Sequence, residues 1–451
     1  MLPELICGTP FHALPAPVPL EQPVPPGPAK LERDAFGDFN MVVTENFAVK
    51  YGPNFSQDRA ERIAGWFEAS WEAELNTLGH THPVGSDTYL FNVYIGDTGG
   101  GIPSAAGNSG YFYVDSQNQP YIVYGRNTDE QTEFGEVVAA HEFHHAIQWA
   151  EDRYDYSGVG AWYWEASGNW APYVVFPDNA YFSISFYAYA FLPHYPVNFF
   201  DYPDQGLLQE AYQYGSSLFL HHLSTVTADD ALIVDSWQTG SSDDPLKTLD
   251  DLLQARGTSL DEAFIDHIGR NATWDYPTGA NITWMLDYYA DYFDESQNMV
   301  LGPIDDFGEW SPPSALAPMR YGYNVVEVDL DGAWQLELEG LDDATYVAVL
   351  VQDGERLTVW PGETARVEGP AFVSVGVWTE HGDTSWDVAV YPYTLHITDP
   401  SLQVDDTGAP LDTGDPASPE VTPTVPGCGC TTGASPLGAV ALMGLALARR
   451  R

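Results

Sequence analysis

The stretch TEFGEVVAAHEFHHAIQWAEDRY, residues 132–154, holds three histidines and one glutamate within HEFHH at 141–145. Its apolar and histidine side chains recur at helical spacing, which predicts a helix. Because positions i and i+4 lie one turn apart on the same helix face, His141 and His145 can present two imidazole nitrogens to one metal ion. Glu142 then lies beside whatever binds there. Histidines that merely pack within the helix are the alternative.

A catalytic zinc site needs a third protein ligand. The residues after HEFHH, AIQWAEDRYD, lack the glycine and the further histidine of the metzincin pattern, and no cysteine lies near them in the sequence. We therefore expect a cysteine ligand to be excluded. Glu165 in WYWEASGNW is the remaining candidate, because the tryptophans around it can dock its helix against the first. The pattern predicts Zn²⁺ bound by His141, His145 and Glu165.

HEFHH followed by Glu165 on the next predicted helix resembles the gluzincin metallopeptidases, with the spacing of their thermolysin-like members. The resemblance implies that zinc held by His141, His145 and Glu165 polarises a peptide carbonyl, and that Glu142 is the general base and then the general acid. Thermolysin-like enzymes carry an aspartate four residues beyond the ligand glutamate to orient the first histidine. This sequence has Asn169 there, whose amide oxygen can accept the same hydrogen bond. An ordinary amide on the helix surface is the alternative.

Such peptidases often stabilise the oxyanion with a tyrosine or histidine downstream of the ligand glutamate. Tyr214 and His222 in YQYGSSLFLHHLS are the candidates, and Tyr214 is preferred because a YGxxxF segment opening a helix is frequent in related gluzincins. Core packing is the alternative for Tyr214. The remaining histidine of HEFHH, His144, points away from the other two, so we expect it to pack or to support the site from behind.

Helices and strands mix in the region around this motif. SQDRAERIAGWFEASWEAELNTLG carries apolar residues at every fourth position, which predicts a helix, and YLFNVYIG, GYFYVD and YIVYG predict three strands. GYFYVD is a candidate edge strand for an extended peptide substrate, with an interior strand as the alternative. Helices are predicted over 161–176, 207–224, 229–238, 246–256 and 259–269. Residues 33–300 are therefore expected to form an α+β domain, and the resemblance implies that this is a zincin-like metallopeptidase domain.

Short alternating strands follow Pro312, in VVEVDL, WQLELEG, YVAVLVQ, RLTVWPG, FVSVGVW and WDVAVYPY. They predict an all-β sandwich domain over 312–398, with Asp-Gly turns at Asp331 and Asp353. Residues 1–32 form a proline-rich lead-in, and 399–427 form an acidic, proline-rich linker with almost no apolar content.

The charge and cysteine content exclude several classes of protein. Sixteen lysines and arginines against 65 aspartates and glutamates give a formal charge of −49, which disfavours nucleic acid and anionic membrane surfaces as partners. The three cysteines, Cys7, Cys428 and Cys430, lie at the two ends of the chain, so no disulfide framework is expected. A lipid attached to Cys7 is a further alternative, although Leu5 and Ile6 fit that signal poorly.

The C-terminal segment, 428–451, joins CGC to a short apolar stretch and three terminal arginines. The stretch is shorter than the roughly 20 residues of a stable membrane span. The order of these features resembles the myxobacterial C-terminal sorting tag (MYXO-CTERM). The resemblance implies export, display at the cell surface, transient or C-terminal membrane association, and a signal peptide upstream of the given start.

These observations predict a secreted or surface-displayed zinc metalloendopeptidase that acts on a protein or peptide substrate. Its predicted catalytic residues are Glu142 and Tyr214, and its predicted metal ligands are His141, His145 and Glu165. Two alternatives remain open at this point. One is a zinc amide hydrolase that acts on a cell-wall polymer, and the other is a surface adhesin with an inert zincin scaffold.

Overall fold

The computed structural model describes residues 7, 30–33, 36, 39–200, 207–240, 242–277, 279–293, 298–379 and 389–402. The described residues up to Pro400 belong to one compact unit. Most of the predicted lead-in, the linker beyond residue 402 and the C-terminal segment lie outside the described residues. The described part mixes helices with sheets, and two of its three sheets lie in the C-terminal part, as the predicted α+β class requires.

The N-terminal sheet has five strands in the order β1-β2-β3-β5-β4, which places β4 at an edge. The three predicted strands are β3 (Phe91–Ile95), β4 (Gly110–Val114) and β5 (Pro120–Tyr124), while β1 (Asn40–Val43) and β2 (Phe47–Tyr51) were not predicted. Strand β2 is fully buried although it carries Lys50, whose Nζ lies 2.6 Å from a Glu32 carboxylate oxygen. A charged residue in a five-residue run conceals the apolar pattern of a buried strand.

Helix α1 (Gln57–Ser70) continues as one π-helical segment, Trp71–Thr77, and buries the apolar residues expected on its inner face: Ile63, Phe67, Trp71 and Leu75. Helix α2 (Thr132–Glu151) carries HEFHH. It lies between α1, the strands β4 and β5, and α3 (Ala161–Val175). Every residue of α2 from Val137 to Trp149 is buried, so its apolar surface is wider than the single predicted stripe. The helix that carries the motif is therefore shielded from water on all sides.

The described residues that follow contain the α-helices α4 (Phe186–Phe191), α5 (Leu207–Gly215), α6 (Ser217–Thr227), α7 (Ala231–Gln238), α8 (Pro245–Ala255), α9 (Leu260–Asn271) and α10 (Gly279–Ala290). The helix predicted over 207–224 is two helices that meet at Ser216. Gly215, the last residue of α5, lies so close to Ser185 that a Cβ there would be 2.5 Å from the backbone oxygen of Ser185. Helices α4 and α10 were not predicted. In the case of α4, the short run FYAYAF has no helical periodicity.

The C-terminal strands are β6 (Leu301–Ile304), β7 (Gly308–Trp310), β8 (Tyr323–Val328), β9 (Ala333–Glu339), β10 (Thr345–Gln352), β11 (Glu355–Val359), β12 (Thr364–Glu368), β13 (Ala371–Trp378) and β14 (Thr394–Thr398). They form two sheets, β11-β10-β13-β8-β6 and β12-β9-β14-β7. Residues of both sheets, among them Val326, Trp334 and Leu395, fill one apolar core. Strands β6 and β7 precede residue 312 and pair with strands that follow it.

The two Asp-Gly turns differ in what they connect. Asp353 and Gly354 have φ values of 50° and 83° and join the antiparallel strands β10 and β11, which confirms the predicted hairpin. Asp331 and Gly332 join β8 and β9, which belong to different sheets, so the hairpin predicted there is wrong. Of the strand predicted at WDVAVYPY, residues 386–388 lie outside the described residues, and Val390 makes one isolated bridge to Met319.

Helix α9 connects the helical region to the C-terminal sheets. It contacts β8, β10 and β13. Gly376 of β13 makes this packing possible, because a Cβ there would lie 2.8 Å from Ile268 Cδ1 and 2.9 Å from Phe264 Cε1. Ser259 caps the start of this helix, because its hydroxyl oxygen accepts a hydrogen bond from the backbone N–H of Glu262 at 3.1 Å.

Candidate metal centre

Helices α2 and α3 bring His141, His145 and Glu165 together, and all three residues are fully buried. Cys7 joins them, and one ligand atom from each of the four residues lies within 4.8 Å of all the others. The described part of the chain therefore contains a buried cluster that could hold a metal ion. The three ligands predicted from the sequence all belong to it.

The distances within this cluster fit a single small cation. The two Nε2 atoms of His141 and His145 are 3.0 Å apart, and Glu165 Oε2 lies 3.4 Å from His141 Nε2. Ligand atoms about 2.0–2.3 Å from a tetrahedral ion lie roughly 3.3–3.8 Å from one another. His141, His145 and Glu165 are near this spacing, whereas the four ligand atoms together are separated by up to 4.8 Å and would have to move closer to surround one ion.

The hydrogen bonds behind His141 fix which of its ring nitrogens faces the cluster. His141 Nδ1 lies 2.9 Å from Asn169 Oδ1, while Asn169 Nδ2 donates to the backbone oxygen of Tyr214 at 3.2 Å. Because the amide oxygen can only accept, His141 Nδ1 must carry the hydrogen. Nε2 is then directed at the cluster. The hydrogen bond expected of Asn169 is present, and this residue is not a surface amide.

Gln148, one turn beyond the HEFHH motif, fixes which ring nitrogen of His145 faces the cluster. Its Oε1 lies 2.6 Å from His145 Nδ1, and its Nε2 donates to the Trp164 backbone oxygen and to Ser167 Oγ, both at 2.9 Å. The two donated bonds orient the amide, so His145 Nδ1 is also the donor. Both histidines therefore turn Nε2 towards the same point, in the way that metal-ligating histidines are held by partners at their other nitrogen.

Both oxygens of Glu165 lie near the two histidines. Tyr156 Oη donates to Oε1 at 2.7 Å, Oε1 lies 3.8 Å from His145 Nε2, and the buried Oε2 lies 3.4 Å from His141 Nε2. Burial alone would raise the pKa of Glu165, but His145, His141 and Tyr156 outweigh it and lower the pKa. The ionised carboxylate that a metal ion requires is favoured here.

Burial and charge act differently on the two histidines. Burial would lower the pKa of His141, but the nearby carboxylates of Glu165 and Glu142 outweigh it and raise the pKa. Burial lowers the pKa of His145 to about 4. Two Nε2 atoms 3.0 Å apart need a positive group between them, either a proton or a metal ion. Protons therefore compete with a metal ion for this position.

Glu142 lies at the edge of the cluster, between helix α2 and the edge strand β4. A Cβ on Gly110 of β4 would lie 2.8 Å from Glu142 Cγ, so only glycine allows the strand to pass this close. The Glu142 carboxylate also reaches Cys7, whose Sγ is 3.6 Å from Oε2. The predicted general base is therefore beside the predicted ligands.

The two candidates for oxyanion stabilisation are separated by the fold. The ring of Tyr214 lies 6.0 Å from that of His141, and its hydroxyl accepts a hydrogen bond from Cys7 N at 3.3 Å. His222 lies elsewhere, with Nε2 2.9 Å from the backbone oxygen of Ala263 and its ring against His267. Tyr214 is the candidate that reaches the cluster.

His144 faces away from the cluster, as expected. Its Nδ1 lies 2.7 Å from Glu74 Oε2, and both residues are fully buried. Burial lowers the pKa of His144 and raises that of Glu74 well beyond their ordinary ranges, so both neutral forms are favoured. A neutral carboxylic acid that faces a neutral imidazole supports the packing of α2 on the segment that follows α1.

The expectation that no cysteine lies near the predicted ligands is wrong. Cys7 Sγ lies 3.3 Å from His145 Nε2 although 138 positions separate the two residues. No spacing rule reaches so far along a chain. Gln148 and Tyr156 were also missed, since an amide and a phenol without charge or pattern give no signal in the sequence.

Among the described residues, no helix combines the length and the apolar character needed to cross a membrane. The apolar stretch of the predicted sorting segment lies outside them, so that prediction stays open. No curated protein matches the chain. Residues 51–355, more than half of the sequence and with all of α2 and α3, match a family of unknown function, DUF6055. The chain is therefore a member of the family of unknown function DUF6055.

Proposed function

We propose that this protein is a zinc-dependent metalloendopeptidase with a zincin-like catalytic domain. The observation that carries the proposal is the convergence of His141 Nε2, His145 Nε2 and Glu165 Oε2 on one buried point, with Glu142 beside it. An ion with a purely structural role would need the three ligands but would not need Glu142. A carboxylate next to the ligands is what hydrolysis requires.

The donor set favours zinc. Two imidazole nitrogens and one carboxylate oxygen form the three-ligand set of catalytic zinc sites, which leaves a fourth position for the reaction. Oε2 of Glu165, which lies 3.4 Å from His141 Nε2, and the two inward Nε2 atoms fit such an ion. When bound, zinc polarises the substrate carbonyl and makes water more acidic.

The residues of the chain supply the remaining steps. Glu142 takes a proton from the attacking water and then delivers it to the nitrogen of the leaving amine. Tyr214 directs its hydroxyl towards the carbonyl oxygen and donates a hydrogen bond as negative charge develops there. Asn169 and Gln148 hold the two imidazoles in place throughout.

Strand β4 provides the surface on which a substrate would lie. It is the edge strand of the N-terminal sheet, and its first residue, Gly110, contacts Glu142. An extended peptide that pairs with this edge passes over the cluster with its backbone carbonyl accessible to the ligands. The geometry therefore suits an endopeptidase, which binds within a chain.

Casein hydrolysis tests the proposal. The full-length chain is incubated with casein as wild type and as the Cys7→Ala variant, because Cys7 lies against Glu142 in the wild type. We expect hydrolysis to stop when a chelator removes the metal and to return when zinc is added. Hydrolysis by the metal-free protein would contradict the proposal. The absence of hydrolysis in both the wild type and Cys7→Ala would contradict it as well.

We further propose that the protein is exported and displayed at the cell surface. The proposal is supported by the C-terminal segment, in which a short apolar stretch is closed by three arginines. The mature chain is expected to lose most of residues 431–451 through processing near Cys428 and Cys430. Intact mass spectrometry of protein from native cells measures this, and a species that still ends in Arg451 would refute it.

A further inference from the structure

Cys7 sits on the candidate metal centre although it comes from the N-terminal part of the chain. It is fully buried, and it makes an isolated parallel bridge with Gly110 of β4. Cys7 therefore lies against the same strand edge on which we place the substrate. A peptide and Cys7 cannot occupy that edge at Gly110 together.

The thiol also lies where a fourth metal ligand would be. Cys7 Sγ is 3.3 Å from His145 Nε2, close to the separation of roughly 3.6 Å between sulfur and nitrogen ligands on one tetrahedral zinc ion. Cysteine is among the strongest zinc ligands in proteins. With Cys7, the cluster offers the four ligands of a closed site.

Two further contacts block the residues that act in hydrolysis. Cys7 Sγ lies 3.6 Å from Glu142 Oε2, where the attacking water has to be to give up its proton. The backbone N–H of Cys7 donates to Tyr214 Oη at 3.3 Å, which engages the hydroxyl proposed for the oxyanion. One residue thus covers the metal position, the general base and the oxyanion donor together.

We propose that Cys7 is the fourth zinc ligand and holds the peptidase in a latent state, and that release of Cys7 from its place beside Gly110 opens the site. This inference rests on the proposed function. Binding of the thiol to zinc releases its proton to solvent, and departure of Cys7 leaves the fourth position to water. The substrate then takes over the edge of β4.

Zinc X-ray absorption tests the ligand directly. The sample is the full-length chain with Cys428→Ser and Cys430→Ser, so that Cys7 is the sole thiol. We expect one zinc–sulfur distance of about 2.3 Å, and its loss in the same chain with Cys7→Ala, which keeps nitrogen and oxygen ligands near 2.0–2.2 Å. A zinc site without sulfur in the parent chain would overturn the proposal.

Thiol reactivity gives a second measurement that does not depend on the folding of a Cys7 variant. In the chain with Cys428→Ser and Cys430→Ser, a thiol reagent should modify Cys7 slowly when zinc is bound and rapidly after a chelator removes the ion. Equal rates with and without zinc would show that the thiol does not bind the metal.

Casein hydrolysis then separates latency from the peptidase proposal itself. We expect Cys7→Ala to raise the rate by roughly tenfold or more, because activity follows the fraction of molecules whose site is open. Equal, zinc-dependent rates in parent and variant would overturn latency and leave the peptidase intact. A zinc–sulfur bond without hydrolysis in any form would show a closed structural site and overturn both proposals.

Discussion

The Glu142→Gln substitution is expected to lower casein hydrolysis by about 10²–10⁴-fold, the usual contribution of a general acid–base residue. It should be made in the Cys7→Ala chain, in which the site is open. The amide keeps the shape of the side chain but cannot take a proton from water. Zinc content should stay at one ion per chain, because Glu142 is not among the clustered ligand atoms. Initial rates and elemental analysis give both values.

The matched control for this variant is Glu133→Gln, which removes a carboxylate from the exposed first turn of the same helix. Its hydrolysis rate should equal that of the parent chain. Near-normal turnover by Glu142→Gln would remove this residue from the mechanism. Loss of zinc together with activity would instead mean that Glu142 maintains the metal site.

The Glu165→Ala substitution is expected to abolish stoichiometric zinc binding. Made in the Cys7→Ala chain, it removes the carboxylate of the cluster and leaves two imidazoles to hold the ion against a proton. Zinc per chain after dialysis, measured by elemental analysis, should fall from one towards zero, and hydrolysis should fall with it. Full retention of zinc would show that the third ligand is a different residue.

Glu74→Ala is a demanding control, because Glu74 is also fully buried and bonds to a histidine of HEFHH, His144, at 2.7 Å. It should cost stability but not zinc, which circular dichroism and elemental analysis separate. The zinc affinity of Asn169→Ala should lie between the affinities of Glu165→Ala and Glu74→Ala. Asn169→Ala keeps every ligand but frees the His141 ring, so zinc affinity is expected to fall by about 10–100-fold.

The part of the site that lies on α2 and α3 could be predicted, because short-range spacing along the sequence determines it. His141, Glu142 and His145 occupy one helix, and Glu165 occupies the next, so helical spacing and one short connection place all four residues. Asn169 follows from the same helix geometry. Cys7 could not be predicted, because its position depends on pairing with β4, which no pattern in the first 30 residues encodes.

The fold shows the same division. Strands with unbroken alternation and helices with a clear apolar face were predicted within a few residues. Strand β2 was missed because Lys50 interrupts it, and α4 because six apolar residues have no period. The predicted pairing of β8 with β9 was wrong, because an Asp-Gly turn specifies the local backbone and not the sheet to which each strand belongs.

The partners behind His141 and His145, the two proposed ligand histidines, are both neutral amides, in a chain with a formal charge of −49. A carboxylate in either place would make the imidazole a stronger donor and would partly cancel the charge of the ion. With amides there, Glu165 would be the one anionic ligand of a bound dication once Cys7 has left, so the ion and its ligands would carry one net positive charge, which the thiolate of Cys7 would neutralise. Opening the site would therefore place one unit of positive charge on the ion and its ligands, beside the carboxylate of Glu142 and at the place where a substrate carbonyl has to be polarised.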